Sequence, residues 1–257
     1  MPATGTPGAP GAAAAPAGPD KSPRRVAGMF DRIARRYDLL NHLLSGGMDL
    51  YWRARAIRAL RLAGTERVLD VCAGTADMMR AALAGRAGRA GYVVGVDFAH
   101  QMLRVGQRKL RDASVATTAP LIRGDAMRLP IAGASVQAAT IAFGIRNVSE
   151  PRVALADILR TLAPGGRLAV LEFAMPRAPL LRSLYTWYFR TMLPRIGAVI
   201  SRHDEAYRYL PESVGTFYGP EEFAALLGEA GFERVTTTPL TFGVVYLYVA
   251  QKGEAGA

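Results

Sequence analysis

The chain has 257 residues, half of them hydrophobic and 21% charged, which suits one large α/β domain with a short appended segment. Its net charge of +11 favours an anionic partner, either a phospholipid surface or a nucleic acid, although a bias toward Arg would also produce it, since few of its 32 cations are Lys. A lone cysteine, Cys72, excludes an intrachain disulfide framework and a Cys-rich zinc site, and the scattered His42, His100 and His203 have no metal-ligand spacing, so no metal is expected.

Residues 1–22 are rich in Ala, Pro and Gly and read as a disordered tail, without the basic and apolar succession of a secretory signal. Residues 26–44 place Met29, Phe30, Ile33, Ala34, Tyr37 and Leu40 at helical spacing. Ser45, Gly46 and Gly47 end that helix. Asp49 is expected to cap a second one to Leu62, with Leu50, Ile57 and Leu60 buried and Arg53, Arg55, Arg58 and Arg61 mostly outside. Five short apolar runs follow, at 66–72, 92–97, 121–125, 136–143 and 166–173, separated by helical segments at 77–83, 100–110 and 151–162. Strands apolar on both faces that alternate with helices predict a parallel sheet covered on both sides. An aromatic-rich helical segment at 178–200, interrupted at Pro194, breaks the alternation. A helix at 221–230 and two strands, 232–240 and 242–250, close the chain as an antiparallel pair. The predicted fold class is α/β and Rossmann-like: a seven-stranded, mostly parallel sheet with its last strand antiparallel and helices on both faces. One domain is expected over 23–253. No run of 18 uncharged apolar residues predicts a transmembrane helix, and the lone cysteine fits a reducing cytoplasm.

Ligands of open α/β sheets sit beyond the carboxyl ends of the strands. Those ends carry Asp70, Asp97, Asp125 and Glu172, together with the loop DVCAGTAD and the phrase FGIRN at 143–147. A ring of acids suits a cation that also offers hydroxyls, which describes S-adenosyl-L-methionine. Asp97 is placed for the ribose, Gly74 allows close backbone approach, and Asp125 with the Ala126 backbone N–H suits the adenine edge. A dinucleotide fits less well, because the loop has one glycine in place of GxGxxG and two acids that would repel a diphosphate. Competing readings are plain ones: Asp70 as a helix cap, Asp125 as a turn residue, Cys72 as packing, and His42 and His203 as surface or gap-lining groups.

At these residues the chain closely resembles the demethylmenaquinone/ubiquinone C-methyltransferase family (UbiE/MenG type) over roughly Val26 to Lys252. The first signature of that family appears as Tyr37, Asp38, Asn41, Ser45, Gly47 and Trp52, with Asp49 where many members have His. DVCAGTAD stands for its cofactor loop, with Ala73 and Ala76 in place of usual glycines. FGIRN is present. RTLAPGGRLAVLEFA supplies the second signature, with Ala163 and Ala174 where Lys and Ser are frequent. Tyr207, Tyr209, Leu210, Glu212, Ser213 and Phe217 match a later block, and LTFG at 240–243 a last one. The resemblance implies that Thr75, Asp97, Asp125 and Ala126 contact S-adenosyl-L-methionine. Ala142, often Ser in the family, would contribute through its backbone.

The implied reaction is C-methylation of a prenylated quinol ring, demethylmenaquinol first and the benzoquinol of ubiquinone synthesis second. Arg146 and Asn147, with Tyr37, Asp38 and Tyr209, are the candidates for orienting the ring and managing its charge and protons. A structural pairing of Arg146 with Glu172 is the competing reading for that residue. Helices at 26–62 and an insertion at 178–217 would cap the substrate. The basic first half, with Tyr185, Trp187, Tyr188 and Phe189, would give peripheral contact with an anionic membrane. A homodimer is left open and no nucleic-acid partner is expected. Rival readings are a methyltransferase for another phenol or amine, an RNA methyltransferase, disfavoured because AFGIRN replaces an NPPY-like phrase, and a non-catalytic binding protein.

Overall fold

The computed structural model describes residues 20–84, 89–187, 191 and 205–254. The proline at 194, Tyr188, Phe189, His203 and nearly all of the expected tail lie outside those residues.

Alternation within each strand organises the fold. In β1 (Arg67–Val71), Val68 faces one side of the sheet and Leu69 and Val71 the other. Val93 against Val94 and Val96 repeats this in β2 (Tyr92–Asp97), as does Ala138 against Ala139 and Ile141 in β4 (Val136–Ala142). In β5 (Leu162–Phe173), Leu168 and Val170 oppose Ala169 and Leu171. Both faces are apolar, so both need cover. One receives α2 (Met48–Leu60), α3 (Asp77–Leu83) and α4 (His100–Asp112). The other receives α5 (Pro151–Thr161), through Ala154, Leu155 and Ile158, and the helix Pro220–Glu229, through Phe223, Leu226 and Leu227.

With β3 (Leu121–Arg123), β6 (Glu233–Leu240) and β7 (Val245–Gln251), the strand order is β3-β2-β1-β4-β5-β7-β6. Every pairing from β3 to β5 is parallel, and β7 runs antiparallel to both β5 and β6. The expected seven-stranded architecture is therefore present. The order reverses between β1 and β4, so the crevice lies above their carboxyl ends. The long helix α1 (Pro23–Ser45) lies across that end of the sheet, with α6 (Pro179–Trp187) and α7 (Glu205–Gly215) nearby; the helix Pro220–Glu229 is then α8.

Two expectations for α2 are corrected. Leu50 is 61% exposed and Arg53 only 6% exposed, because the face on the sheet is formed by Trp52, Arg53, Ala56, Ile57 and Leu60. Burial of Arg53 is tolerated because its Nη1 donates to Asp49 at 2.7 Å and its guanidinium carbon lies 5.7 Å from the Phe143 ring centre. Asp49 does not cap the helix: the cap position is Gly47, and the Asp49 carboxylate accepts from Ser45 Oγ at 3.0 Å instead. The first turn of α4 is served from outside, where Asp31 of α1 accepts from the Gln101 N–H at 2.7 Å.

The loops after β1 and β4 meet in a contact that leaves no space for a side chain. A Cβ added at Gly144 would overlap the Cβ of Cys72. Cys72 and Phe143 both hold left-handed backbone, at φ 55° and 58°, which costs non-glycine residues about 1–2 kcal/mol. Gly144→Ala is expected to lower the unfolding free energy by about 2 kcal/mol. Adding Cys72→Gly, which removes both the obstacle and a strained residue, should restore most of it. Denaturant midpoints of the two variants check this; an unrepaired double variant would mean that the loops meet elsewhere.

Candidate active site

Two compartments lie side by side above the switch point. The first is a narrow cleft between the loops after β1, β2 and β4, lined by Cys72, Gly74, Asp97, Ala99, Ala142 and Asn147 among others. Asp97 joins two of these loops: its Oδ2 accepts from the Gly74 N–H at 2.9 Å and its Oδ1 from the Ala99 N–H at 2.8 Å. Each oxygen keeps a lone pair for a further donor. Burial outweighs these bonds and pushes the carboxyl up to about 6.

Asp70 lies deeper, 1% exposed. Thr140, its register partner on β4, donates to Oδ1 at 2.7 Å, and Oδ2 has no partner among the described residues. Burial pushes this carboxyl up to about 7, against the Thr140 hydrogen bond. Cys72 is a packing residue here: burial, and then the neighbouring acids, push its thiol well above its usual value, which disfavours a thiolate. Asn147 sits on the cleft side, its Oδ1 without a partner among the described residues, rather than in the wall of the second compartment. Asp125 is an exposed turn residue whose Oδ1 accepts from the Met127 N–H at 2.9 Å, and Ala126 beside it is buried. Neither lines the cleft in its present shape.

The second compartment is an apolar chamber of about 290 Å³ between α1, α2, α6, α7 and the turn at 241–244. Trp52, Phe143 and Phe173 form an aromatic wall, with the last two ring centres 4.5 Å apart, and Trp52 Nε1 donates to Thr241 Oγ1 at 2.8 Å. Met29, Ile33, Leu40 and Leu44 supply the α1 side. Its polar lining includes Asn41, Ser45, Asp49, Arg53 and Thr241, together with Arg146 and Tyr209. Arg146, 5% exposed, donates through Nη1 to Glu172 Oε1 at 2.7 Å and to the Phe143 carbonyl at 2.5 Å, and its Nε lies 3.4 Å from Ser213 Oγ. The competing pairing with Glu172 thus exists, yet Arg146 still faces the chamber. Tyr209, one turn before Ser213 on α7, is also in the wall, with its hydroxyl buried and without a hydrogen-bond partner among the described residues. Phe30, Tyr37 and Phe143 line both compartments and form the partition between them.

Asp38 and Thr75 stand apart from both walls. Asp38 accepts from Thr75 Oγ1 at 2.5 Å and from Lys109 Nζ at 2.7 Å, and Lys109 also pairs with Asp77. Asp77 lies 3.8 Å from Arg53, which joins Asp49 and then His42. Asp38, a candidate for handling substrate protons, lines neither compartment and fastens α1 to the loop after β1. Sequence reasoning missed Lys109, Trp52, Phe173 and the Asp49–His42 pair as parts of the site. Only Trp52 and the position of Asp49 carried a signal, within the first signature.

A doubly wound sheet with buried acids at its switch point, one glycine in the first loop and an apolar chamber alongside is that of a Rossmann-like methyltransferase. The chain matches the ubiE/COQ5 methyltransferase family over residues 19–252. It is 49% identical over 220 residues to the ubiquinone/menaquinone biosynthesis C-methyltransferase UbiE of Syntrophotalea carbinolica, covering 86% of this chain and 91% of the relative. It is 42% identical to the demethylmenaquinone methyltransferase of Thermus thermophilus, covering 87% of this chain and 100% of that protein. In fold it is similar to a phosphoethanolamine N-methyltransferase of Haemonchus contortus solved with S-adenosyl-L-methionine, with TM-score 0.60, 13% identity, and coverage of 79% of this chain and 53% of the other. The chain belongs to the ubiE/COQ5 methyltransferase family. Among the described residues, no helix is long and apolar enough to cross a membrane.

The raised carboxyl of Asp70 makes a testable statement about stability. A carboxyl raised by folding contributes its full share below pH 3.8 and loses it as pH climbs through about 7. Asp70→Asn should therefore be more stable to denaturant than the parent at pH 8, by about 4 kcal/mol, with the gap closing toward pH 4. A constant gap across that range would show that Asp70 does not carry the proton.

Proposed function

We propose that this chain methylates a ring carbon of a prenylated quinol with S-adenosyl-L-methionine, demethylmenaquinol being the first substrate to test. The observation that carries this reading is the shared partition: Phe30, Tyr37 and Phe143 separate an acid-floored cleft from an apolar chamber. When bound, S-adenosyl-L-methionine supplies a sulfonium methyl to an electron-rich carbon.

The donor set of the cleft fits that group. Both oxygens of Asp97 can accept from a ribose diol while holding the loops. Gly74, in the cleft wall, leaves room for the methionine portion, with Thr75 behind it tied to Asp38, and the oxygens of Asp70 and Asn147 that have no partner among the described residues suit a cationic or amino donor nearby. Ala142 contributes from its backbone. Asp125 and Ala126 would reach the adenine edge if the loop after β3 closes over it. A positive ligand favours the ionised carboxylates, so its affinity should rise as pH is raised from 5 to 8.

In the chamber, Arg146 stabilises the negative charge that develops on a phenolic oxygen, held in place by Glu172 and Ser213. Tyr209 offers a hydroxyl to the second ring oxygen. Tyr37, its own hydroxyl pushed above 10 by burial, stays neutral at the partition. The apolar walls exclude water, and α1, α2, α6 and α7 form the cap.

A prenylated substrate arrives from a bilayer. Near the chamber mouth, the end of α1, the start of α2 and the 241–243 turn expose Leu39, Leu43, Leu50, Tyr51 and Phe242. These apolar side chains, with a net charge of +11, support peripheral binding to an anionic leaflet.

Three outcomes test this reading. Incubation with reduced demethylmenaquinone and the methyl donor should yield a product heavier by one methylene by mass spectrometry, and no methylated quinol would refute it. Removing Arg146 alone would strand the buried Glu172, so the informative variant is Arg146→Gln with Glu172→Gln. It should lower kcat about 100-fold while leaving donor affinity within threefold; equal losses in both would assign the pair to the scaffold. Leu50→Asp with Phe242→Asp should weaken co-sedimentation with phosphatidylglycerol vesicles severalfold, and unchanged binding would place the membrane edge elsewhere.

A further inference from the structure

The chamber proposed for the quinol is apolar, yet the reaction must release a proton from it. One carboxylate breaks the apolar wall. Asp49 lines the chamber, and its side chain is only 3% exposed. On its far side is His42, whose Nδ1 lies 2.9 Å from Asp49 Oδ1 and 2.8 Å from Oδ2, and whose side chain is 41% exposed. Ser45, also in the chamber wall, donates to Asp49 Oδ1 at 3.0 Å, and Arg53 donates to Oδ2 at 2.7 Å. The four side chains make a single polar passage from the chamber interior to the surface.

We propose that Asp49 and His42 form the proton exit of this site: Asp49 receives the phenolic proton of the quinol and His42 delivers it to solvent. The inference rests on the quinol reading above and deepens it. As the ring carbon bonds to the donor methyl, the broken bond leaves its electron pair on sulfur, and the phenolic proton passes to Asp49 in the same step while its oxygen becomes a carbonyl, so the charge that builds on that oxygen as the proton leaves is the one Arg146 meets. The forming carbonyl makes that O–H far more acidic than in the free quinol, which drives the transfer to Asp49. The ring C–H proton then moves to the keto oxygen and restores the phenol. Protonated Asp49 then donates to Nδ1 of the His42 tautomer that carries its proton on Nε2, the Nε2 proton leaves to solvent, and the imidazole returns to the Nδ1–H tautomer, so each turnover releases one proton.

The surroundings suit a conduit. Burial alone would raise the Asp49 carboxyl. The hydrogen bond from His42, the Arg53 charge and the Ser45 hydrogen bond outweigh it and hold the carboxyl below its usual value. Asp49 is therefore anionic and vacant at rest, and passes the proton on instead of retaining it. Arg53 is itself steadied by Asp77, which Lys109 neutralises, so the charge beside Asp49 is fixed. Across the chamber, Arg146 is matched by Glu172 and does not compete for the proton.

The test uses the full chain with S-adenosyl-L-methionine and a reduced naphthoquinol in detergent. His42→Ala leaves a half-exposed gap that a small base can enter. It should lower kcat at least tenfold, with donor affinity and KM for the quinol within threefold. Added imidazole should restore part of the rate, and across a series of substituted imidazoles the rescue should grow with the basicity of the added base. A purely structural histidine has no reason to obey that order. Asp49→Asn, the second variant, should show a comparable loss with no response to imidazole. Wild-type kcat in His42→Ala, or a loss that no imidazole repairs, overturns the relay while the quinol reading stands. A parent chain that methylates no quinol overturns the reading and the relay with it.

Discussion

A charge out of reach of water must be met by an opposite charge, by several hydrogen bonds or by a proton, and this constraint decides how the upper half of the molecule is assembled. The series Asp38, Lys109, Asp77, Arg53 and Asp49 alternates in sign, ends at His42 and runs through α1, α2, α3 and α4. It joins the helices that roof the site to the sheet that floors it. Apolar packing alone would not fix their relative placement so closely, because Leu and Ile can repack with little loss. A carboxylate opposite an ammonium group has one suitable position.

The same constraint explains where the fold is least stable. Asp70 and Asp97 form no ion pair among the described residues, and burial holds both carboxyls far above the usual range, at Asp70 even against the charge of Arg53. The cleft is thereby a region where the free protein is least at ease and where a positive ligand gains most. The left-handed Cys72, Ala76 and Phe143 occupy the adjoining loops, so backbone strain collects there as well. The sheet beneath, with most of its core fully buried, bears that local cost.

The layered fold was legible from the residues because strand and helix periods differ, and a sheet apolar on both faces leaves little choice of architecture. The acids at strand ends were legible for a related reason, since a carboxylate next to a buried strand has few structural uses. The α2 register was not. Leu50 looked like core and Arg53 like surface, and the inversion rests on the nearby Asp49 together with Asp77 and Phe143, which only tertiary structure brings alongside. Asp38 illustrates the same limit: its neighbour Tyr37 suggested chemistry, while the residues that commit its two oxygens, Thr75 and Lys109, come from other elements. Solitary side chains brought together only by tertiary structure leave no local pattern.

Phe30, Tyr37 and Phe143 belong to two rooms at once. A ring that shifts to admit one guest changes the space offered to the other, so the two occupancies are thermodynamically coupled, and whatever factor the first applies to the second is returned in equal measure. Sequence of arrival, and the release of the used donor, are then governed by three aromatic rings as much as by any group that touches the reacting carbon.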